Sequence, residues 1–188
     1  MKKTINKPET VLVLRTCAAN MTSYQDFKWP KSGKVSAPDW KPTNTCGNGL
    51  HGLPWGEGNG SLLNWADDAK WLVVEVAASE IVVIDDAKVK FPGGVVVHCG
   101  DRKSATDYIS EHGAAGKAIV GGTATAGNGG TATAGDGGTA TAGDGGILNI
   151  RWWDGKRYRI SVFYVGENGI KPNTAYRVNS KGEFEEVK

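Results

Sequence analysis

Gly121-Gly122-Thr123-Ala124-Thr125-Ala126-Gly127-Asn128, Gly129-Gly130-Thr131-Ala132-Thr133-Ala134-Gly135-Asp136 and Gly137-Gly138-Thr139-Ala140-Thr141-Ala142-Gly143-Asp144 are three copies of one octapeptide, closed by Gly145-Gly146. Only Asn128 departs from the pattern, standing where the other copies have Asp136 and Asp144. A strict short period is a statement about fold. In an extended strand the threonines of Thr-Ala-Thr-Ala point to one face and the alanines to the other. The glycine-rich segments between them are turns able to adopt positive φ. The pattern predicts a narrow β-solenoid, alanines inside, with two octapeptides per coil. A disordered Gly/Ala/Thr linker is the alternative, but a linker needs no fixed register between Thr, Gly and Asp. Thr123, Thr125, Thr131, Thr133, Thr139 and Thr141 then form flat outward rows, the candidate surface for self-association. An alanine interior buries little apolar area, so three units need neighbours to cap both ends.

The flanks supply them. After the repeat, Ile147–Trp153 and 156–165 form a hairpin around Asp154-Gly155, a strong turn signal. A second hairpin joins Tyr176-Arg177-Val178 to Phe184-Glu185-Glu186-Val187. Before the repeat, Val11-Leu12-Val13-Leu14 reads as a buried strand ending at Arg15. Ser61 to Ala69 reads as a short helix with Leu62, Trp65 and Ala69 on one face. Four strand signals follow at Trp71–Val76, Ile81–Ile84, Val89–Phe91 and Val95–His98. Asp101 caps a helix through Ile109 that stops at Gly113. The expected fold class is therefore an α+β N-terminal domain (1–118), an octapeptide β-solenoid (119–146) and an antiparallel β-hairpin cap (147–188).

Composition narrows the functions. The 188 residues carry a net charge of only +2 with mixed signs, which gives no polyanion-binding signature. No apolar run is long enough for a membrane span, and Met1-Lys2-Lys3 leads into polar Thr4, Asn6 and Lys7, unlike a signal peptide. Three widely spaced cysteines, Cys17, Cys46 and Cys99, fit a reducing compartment. The expected location is the cytoplasm of a bacterial host, without nucleic-acid or membrane partners and without a cofactor. Cys46, His51, His98 and Cys99 lack the spacing of common zinc sites, so no metal is expected.

The segment from Ala18 to Gly60 is rich in Pro, Gly and Trp, and ordered loops of that length tend to be functional. At its centre lies Cys46-Gly47-Asn48-Gly49-Leu50-His51-Gly52. Flexible glycines around Asn48, Gly49 and His51 would let backbone N–H groups approach a ligand, with His51 exchanging a proton. The same glycines could simply build turns around a core histidine. Arg15 either bridges to a carboxylate or grips an anion. Nothing in the octapeptide can act as acid, base or nucleophile except a turn carboxylate.

Val11–Cys17, Cys46–Gly52 and Trp71–Val76 together resemble a domain of unknown function found in bacteriophages and bacteria. That domain is similarly followed by Ala-Thr-Ala-Gly-Asp octapeptides and a segment like Trp152-Trp153-Asp154-Gly155-Lys156-Arg157-Tyr158-Arg159. The resemblance implies a phage or mobile-element origin. The repeat alone resembles the octapeptides of bacterial ice-nucleation proteins, whose outward Thr-x-Thr rows order water. A weaker likeness to ADP-ribosyltransferases implies Arg15 at the phosphates of NAD, His51 at the ribose and Glu75 at the reacting sugar, although the Ser-Thr-Ser strand and Glu-x-Glu loop are absent. The primary expectation is a non-catalytic phage accessory protein, binding a small nucleotide ligand or a host protein through Arg15, Asn48, Gly49, His51 and Glu75, with the solenoid as spacer or homo-oligomer surface. The alternatives are an ADP-ribosyltransferase-like enzyme or its relic, and an ice-binding or purely structural solenoid.

Overall fold

The computed structural model describes residues 9–85 and 88–187; most of the polar lead-in and Asp86 of the expected Asp-Asp break lie outside them. Seven strands come first: β1 (Thr10–Cys17), β2 (Gly33–Ser36), β3 (Leu50–Pro54), β4 (Lys70–Ala77), β5 (Val82–Asp85), β6 (Lys88–Phe91) and β7 (Gly93–Gly100). They form one antiparallel sheet in the order β2-β7-β4-β1-β3-β6-β5. The central strand β1 is apolar at successive residues because both of its faces are covered. Leu12 and Leu14 pack with Leu53, Trp71, Val73, Ala105 and Ile109 on one side. Val13 and Cys17 pack with Met21, Trp29, Leu72 and Phe91 on the other.

The first face is covered by α1 (Arg102–Ile109), whose N-cap Asp101 accepts a 2.8 Å hydrogen bond from the Ser104 N–H. Chain reversal follows at Gly113, φ +122°. The other face is covered by the loop-rich segment after β1, anchored by buried Trp29. This corrects the α+β expectation: the N-terminal part is a β-sheet with a single α-helix among the described residues. The helix expected over 61–69 is absent as well. Gly60–Leu62 is one 3-10 turn, capped by Asn59, whose side chain accepts from the Ser61 N–H. The helix-like spacing there has another cause. Trp65, still 40% exposed, meets Trp71 edge-on at 5.5 Å, and its indole N–H donates to Gly60 O at 2.8 Å.

The repeat gives β8 (Thr123–Ala126), β9 (Thr131–Ala134) and β10 (Thr139–Ala142), and β11 (Ile147–Trp153) continues the series. Pairing skips one copy. β8 lies parallel to β10 with Thr123 opposite Thr139 and Thr125 opposite Thr141, and β9 lies parallel to β11 with Thr131 opposite Ile147 and Thr133 opposite Asn149. Corners recur every eight residues at Gly121, Gly129, Gly137 and Gly145, all at φ +64° to +69°, where a side chain would be strained. The corners stack: Gly129 N–H donates to Asp144 O at 2.9 Å, and Gly121 N–H donates to Asp136 O at 2.8 Å. The lone asparagine has its place in this stack, since Asn128 Oδ1 accepts the Asp144 N–H at 3.0 Å.

The solenoid expected from the period does not close. Two parallel pairs enter two separate sheets, completed by β12 (Tyr158–Tyr164), β13 (Tyr176–Val178) and β14 (Phe184–Glu186), in the orders β14-β13-β10-β8 and β12-β11-β9. Alanine is the reason. Four buried alanines, Ala132, Ala134, Ala140 and Ala142, share their interior with Leu148, Ile150, Val165, Ile170 and Tyr176. The terminal segment thus provides most of the apolar volume of this core, where a lid over a finished coil was expected.

Candidate functional site

Two regions collect the residues singled out from the sequence. The first is a cavity of about 530 Å³ beside β1 and β3, lined among others by Arg15, Trp29, Asp39, Asn48, Gly49 and His51. The Arg15 guanidinium lies 3.9 Å from the Trp29 ring centroid and donates to two backbone carbonyls, His51 O at 3.3 Å and Thr16 O at 3.2 Å. Burial lowers its pKa to about 10. It therefore stays cationic at neutral pH, and among the described residues no carboxylate bridges to it. Asn48 adopts φ +50° and donates from Nδ2 to Asp39 Oδ2 at 3.3 Å. Gly49 passes so close to Trp40 that a Cβ would lie 2.9 Å from its ring. His51 is held below the usual histidine range, first by burial and then by Lys88, Arg15 and Lys90, and its buried Nε2 has no hydrogen-bond partner among the described residues.

Glu75 is not in this cavity. Arg15 pairs with Leu72 on β4, and Glu75 lies three residues further along, ~10 Å away at the rise of a strand. It borders a separate shallow recess with Lys34, Glu80 and Val95. Trp29, the floor under Arg15, was not singled out from the sequence. Its only signal was membership of the Trp/Pro-rich segment.

The second region is the outward face of the repeat. Thr123, Thr125 and Thr131 are exposed, and Thr133, Thr139 and Thr141 are half-buried. On β8 and β10 the threonines stack in register as two Thr-x-Thr rungs, with Thr139 Oγ1 donating to Thr123 Oγ1 at 3.3 Å. Along a strand these side chains recur every ~6.7 Å, and between rungs every ~4.8 Å. On the opposite face the row stops after one rung. Ile147 and Asn149 take the threonine positions, and exposed Val162 and Tyr164 follow on β12. The outward positions of β13 and β14 carry the ion pair Arg177–Glu185 at 3.1 Å. The threonine array is thus a two-rung patch bounded by a charged pair on its C-terminal side.

A family model described as "Domain of unknown function (DUF7666)" matches residues 11–110. An ice nucleation protein of Pseudomonas fluorescens is 46% identical over 107 residues, which is 56% of this chain and 9% of the relative. Ice nucleation protein InaU of Pantoea ananas is 44% identical over 109 residues, 57% of this chain and 10% of the relative. That of Xanthomonas campestris pv. translucens is 43% identical over 103 residues, 54% and 7% respectively. The chain thus spans a tenth or less of the length of these relatives. No solved structure matches.

These relatives overturn the primary functional expectation. Proteins named for ice nucleation give no support to a phage accessory protein that binds a ligand or engages a host protein. The cytoplasmic location falls with it, because a name that states action on freezing water gives no ground for a bacterial interior. No helix among the described residues is long and apolar enough to cross a membrane.

Proposed function

The chain belongs to the DUF7666 family, and from that membership and its relatives we propose that it is an ice-binding protein whose working surface is the Thr-x-Thr ladder of β8 and β10. The observation that carries the reading is the register: Thr123 opposite Thr139 and Thr125 opposite Thr141, on parallel strands, form a two-dimensional lattice of hydroxyl and methyl groups. Each hydroxyl both donates and accepts, and each adjoining methyl offers water no partner, so the first water layer is pinned at fixed sites instead of following a mobile surface.

Size sets the strength. Two rungs of two threonines outline only ~30 Å² between their Cα positions, far below the template a stable ice nucleus needs. The reading therefore implies adsorption to existing ice rather than efficient nucleation. The matched stretch is only 7–10% of the length of these relatives, which have room for far larger surfaces.

The test is ice-crystal growth observed at a fraction of a degree below melting. The wild-type protein facets the crystals and slows their growth, while T139K/T141K, which places two solvated ammonium groups on the inner rung, restores disc-shaped crystals without unfolding the protein. Disc-shaped crystals with the wild type, or faceting retained by the double variant, would reject the assignment.

A further inference from the structure

The wall of the cavity beside β1 and β3 holds more positive charge than its surroundings balance. Arg15 on β1 and Lys90 on β6 flank β3, where His51 stands opposite Lys90. The Arg15 guanidinium rests on the Trp29 ring and on two backbone carbonyls, all of them neutral. Lys90 is fully buried, and its ammonium donates to Thr43 Oγ1 at 3.2 Å, Thr45 O at 2.9 Å and Gly47 O at 3.2 Å, again all neutral. A buried charge without an opposite partner is costly, and this wall contains two.

The imbalance extends to the atoms between them. Arg15 Nε and His51 Nε2 are both buried and unpartnered among the described residues, and such groups are rare enough in folded proteins to need a cause. Lys88, a third cation near His51, is partly offset: Asp85 Oδ1 accepts its backbone N–H at 3.0 Å, and its ammonium donates to Cys46 Sγ at 3.2 Å. Among the described residues Asp39 is the one carboxylate in the cavity lining, and Asn48 Nδ2 already donates to it at 3.3 Å. The cavity is therefore short of negative charge.

Its shape and donors narrow the guest. Each terminal nitrogen of the guanidinium carries two N–H groups and spends one on a carbonyl, which leaves a pair of donors for the two oxygens of a carboxylate. The volume, about 530 Å³, is that of a small-molecule site, far beyond the ~30 Å³ of a single water. Phe27, Pro38 and Leu50 supply apolar walls. Asp39 limits the charge a guest can carry, because a second negative charge would meet it inside the same recess. We propose that this cavity binds an organic monocarboxylate, with the carboxylate on Arg15 and the apolar body against Phe27, Pro38 and Leu50. The site is separate from the threonine ladder, and it implies neither a host partner nor an accessory role.

Titration of the full chain with benzoate, followed by amide and indole NMR shifts, tests the assignment. Benzoate moves the Gly49 amide and the Trp29 indole N–H, which donates to Ser23 Oγ at 3.0 Å, while uncharged benzamide and inorganic phosphate each bind at least ~10-fold more weakly. R15Q keeps an amide donor but no charge, and weakens benzoate at least ~10-fold. Should R15Q fail to fold, D39N decides: it leaves Arg15 untouched, removes the like charge, tightens benzoate ~3-fold and narrows its lead over phosphate. No shift up to ~10 mM benzoate, an equal response to benzamide, phosphate binding as tight as benzoate in the wild type, or unchanged affinity in D39N overturns the proposal.

Discussion

Removing the Tyr176 ring tests whether the terminal segment is core to the repeat. Tyr176 is 1% exposed, lies opposite Ala140, meets Phe184 edge-on at 5.7 Å, and accepts the Lys171 N–H on its hydroxyl at 2.9 Å. Truncating a buried aromatic ring to alanine costs about 3–5 kcal/mol. Y176A belongs at the upper end, because its neighbours Ala140 and Ala142 are too short to collapse into the void. Y176F keeps the ring and loses only the bond to Lys171, about 1 kcal/mol. Urea unfolding gives the two totals, and amide exchange gives their location, since Y176A should speed exchange at 131–142 while leaving β1 and β4 protected. A total below about 1 kcal/mol for Y176A, or unchanged exchange in the repeat, would refute the claim that β13 and β14 share a core with the octapeptides.

Two further outcomes follow from the turns. Asp154 accepts the Lys156 and Arg157 N–H groups, both at 2.7 Å, and pairs with Arg159, and these bonds hold its carboxyl at about 2. Because the folded value lies below the ordinary one near ~4, its contribution is complete above that pH and is lost as pH falls toward 2; melting of the hairpin should show this acid-side decline, and D154A should abolish it. Among the repeat glycines, G127A adds a methyl that meets nothing within 4 Å and should leave the melting temperature unchanged or slightly higher, whereas the Cβ of G135A would lie 2.5 Å from Ala118 O and Ile119 O and should lower it by more than any corner substitution.

What the sequence revealed was what local chemistry decides. Thr and Ala alternate outward and inward as the period implies, Asp154-Gly155 turns the hairpin, Asp101 caps α1, and Val11–Leu14 is a buried strand. What it hid depends on strand order. Glu75 and Arg15 lie on adjacent strands, yet the register of β1 against β4 puts them ~10 Å apart along the sheet, and no local pattern shows that. The Leu62-Trp65-Ala69 spacing satisfied a helical template because Trp65 had to reach Trp71, a long-range contact that mimics a local one. The closed solenoid was inferred from periodicity alone, which says which side chains point inward but nothing about whether alanines suffice to fill the space.

That insufficiency connects the fold to the proposed action. Ice adsorption asks for flat, closely spaced strands with small residues beneath them, and small residues are poor at holding strands together. The conflict is resolved by distance: the large apolar residues, Leu148, Ile150, Ile170 and Tyr176, come from the following segment and enter the same interior, so the outward threonines keep their lattice. The cost is length. β12 and β13 occupy the edges where a further coil would add, and β11 already exchanges the outward threonines for Ile147 and Asn149. The array is therefore limited by its own stabilisation to two threonine rungs, and within one chain a larger template would require another repeat inserted ahead of Ile147. An engineered chain carrying two more Gly-Gly-Thr-Ala-Thr-Ala-Gly-Asp copies at that point should keep its fold, since each added strand finds the same parallel partner sixteen residues away, and should adsorb to ice more strongly.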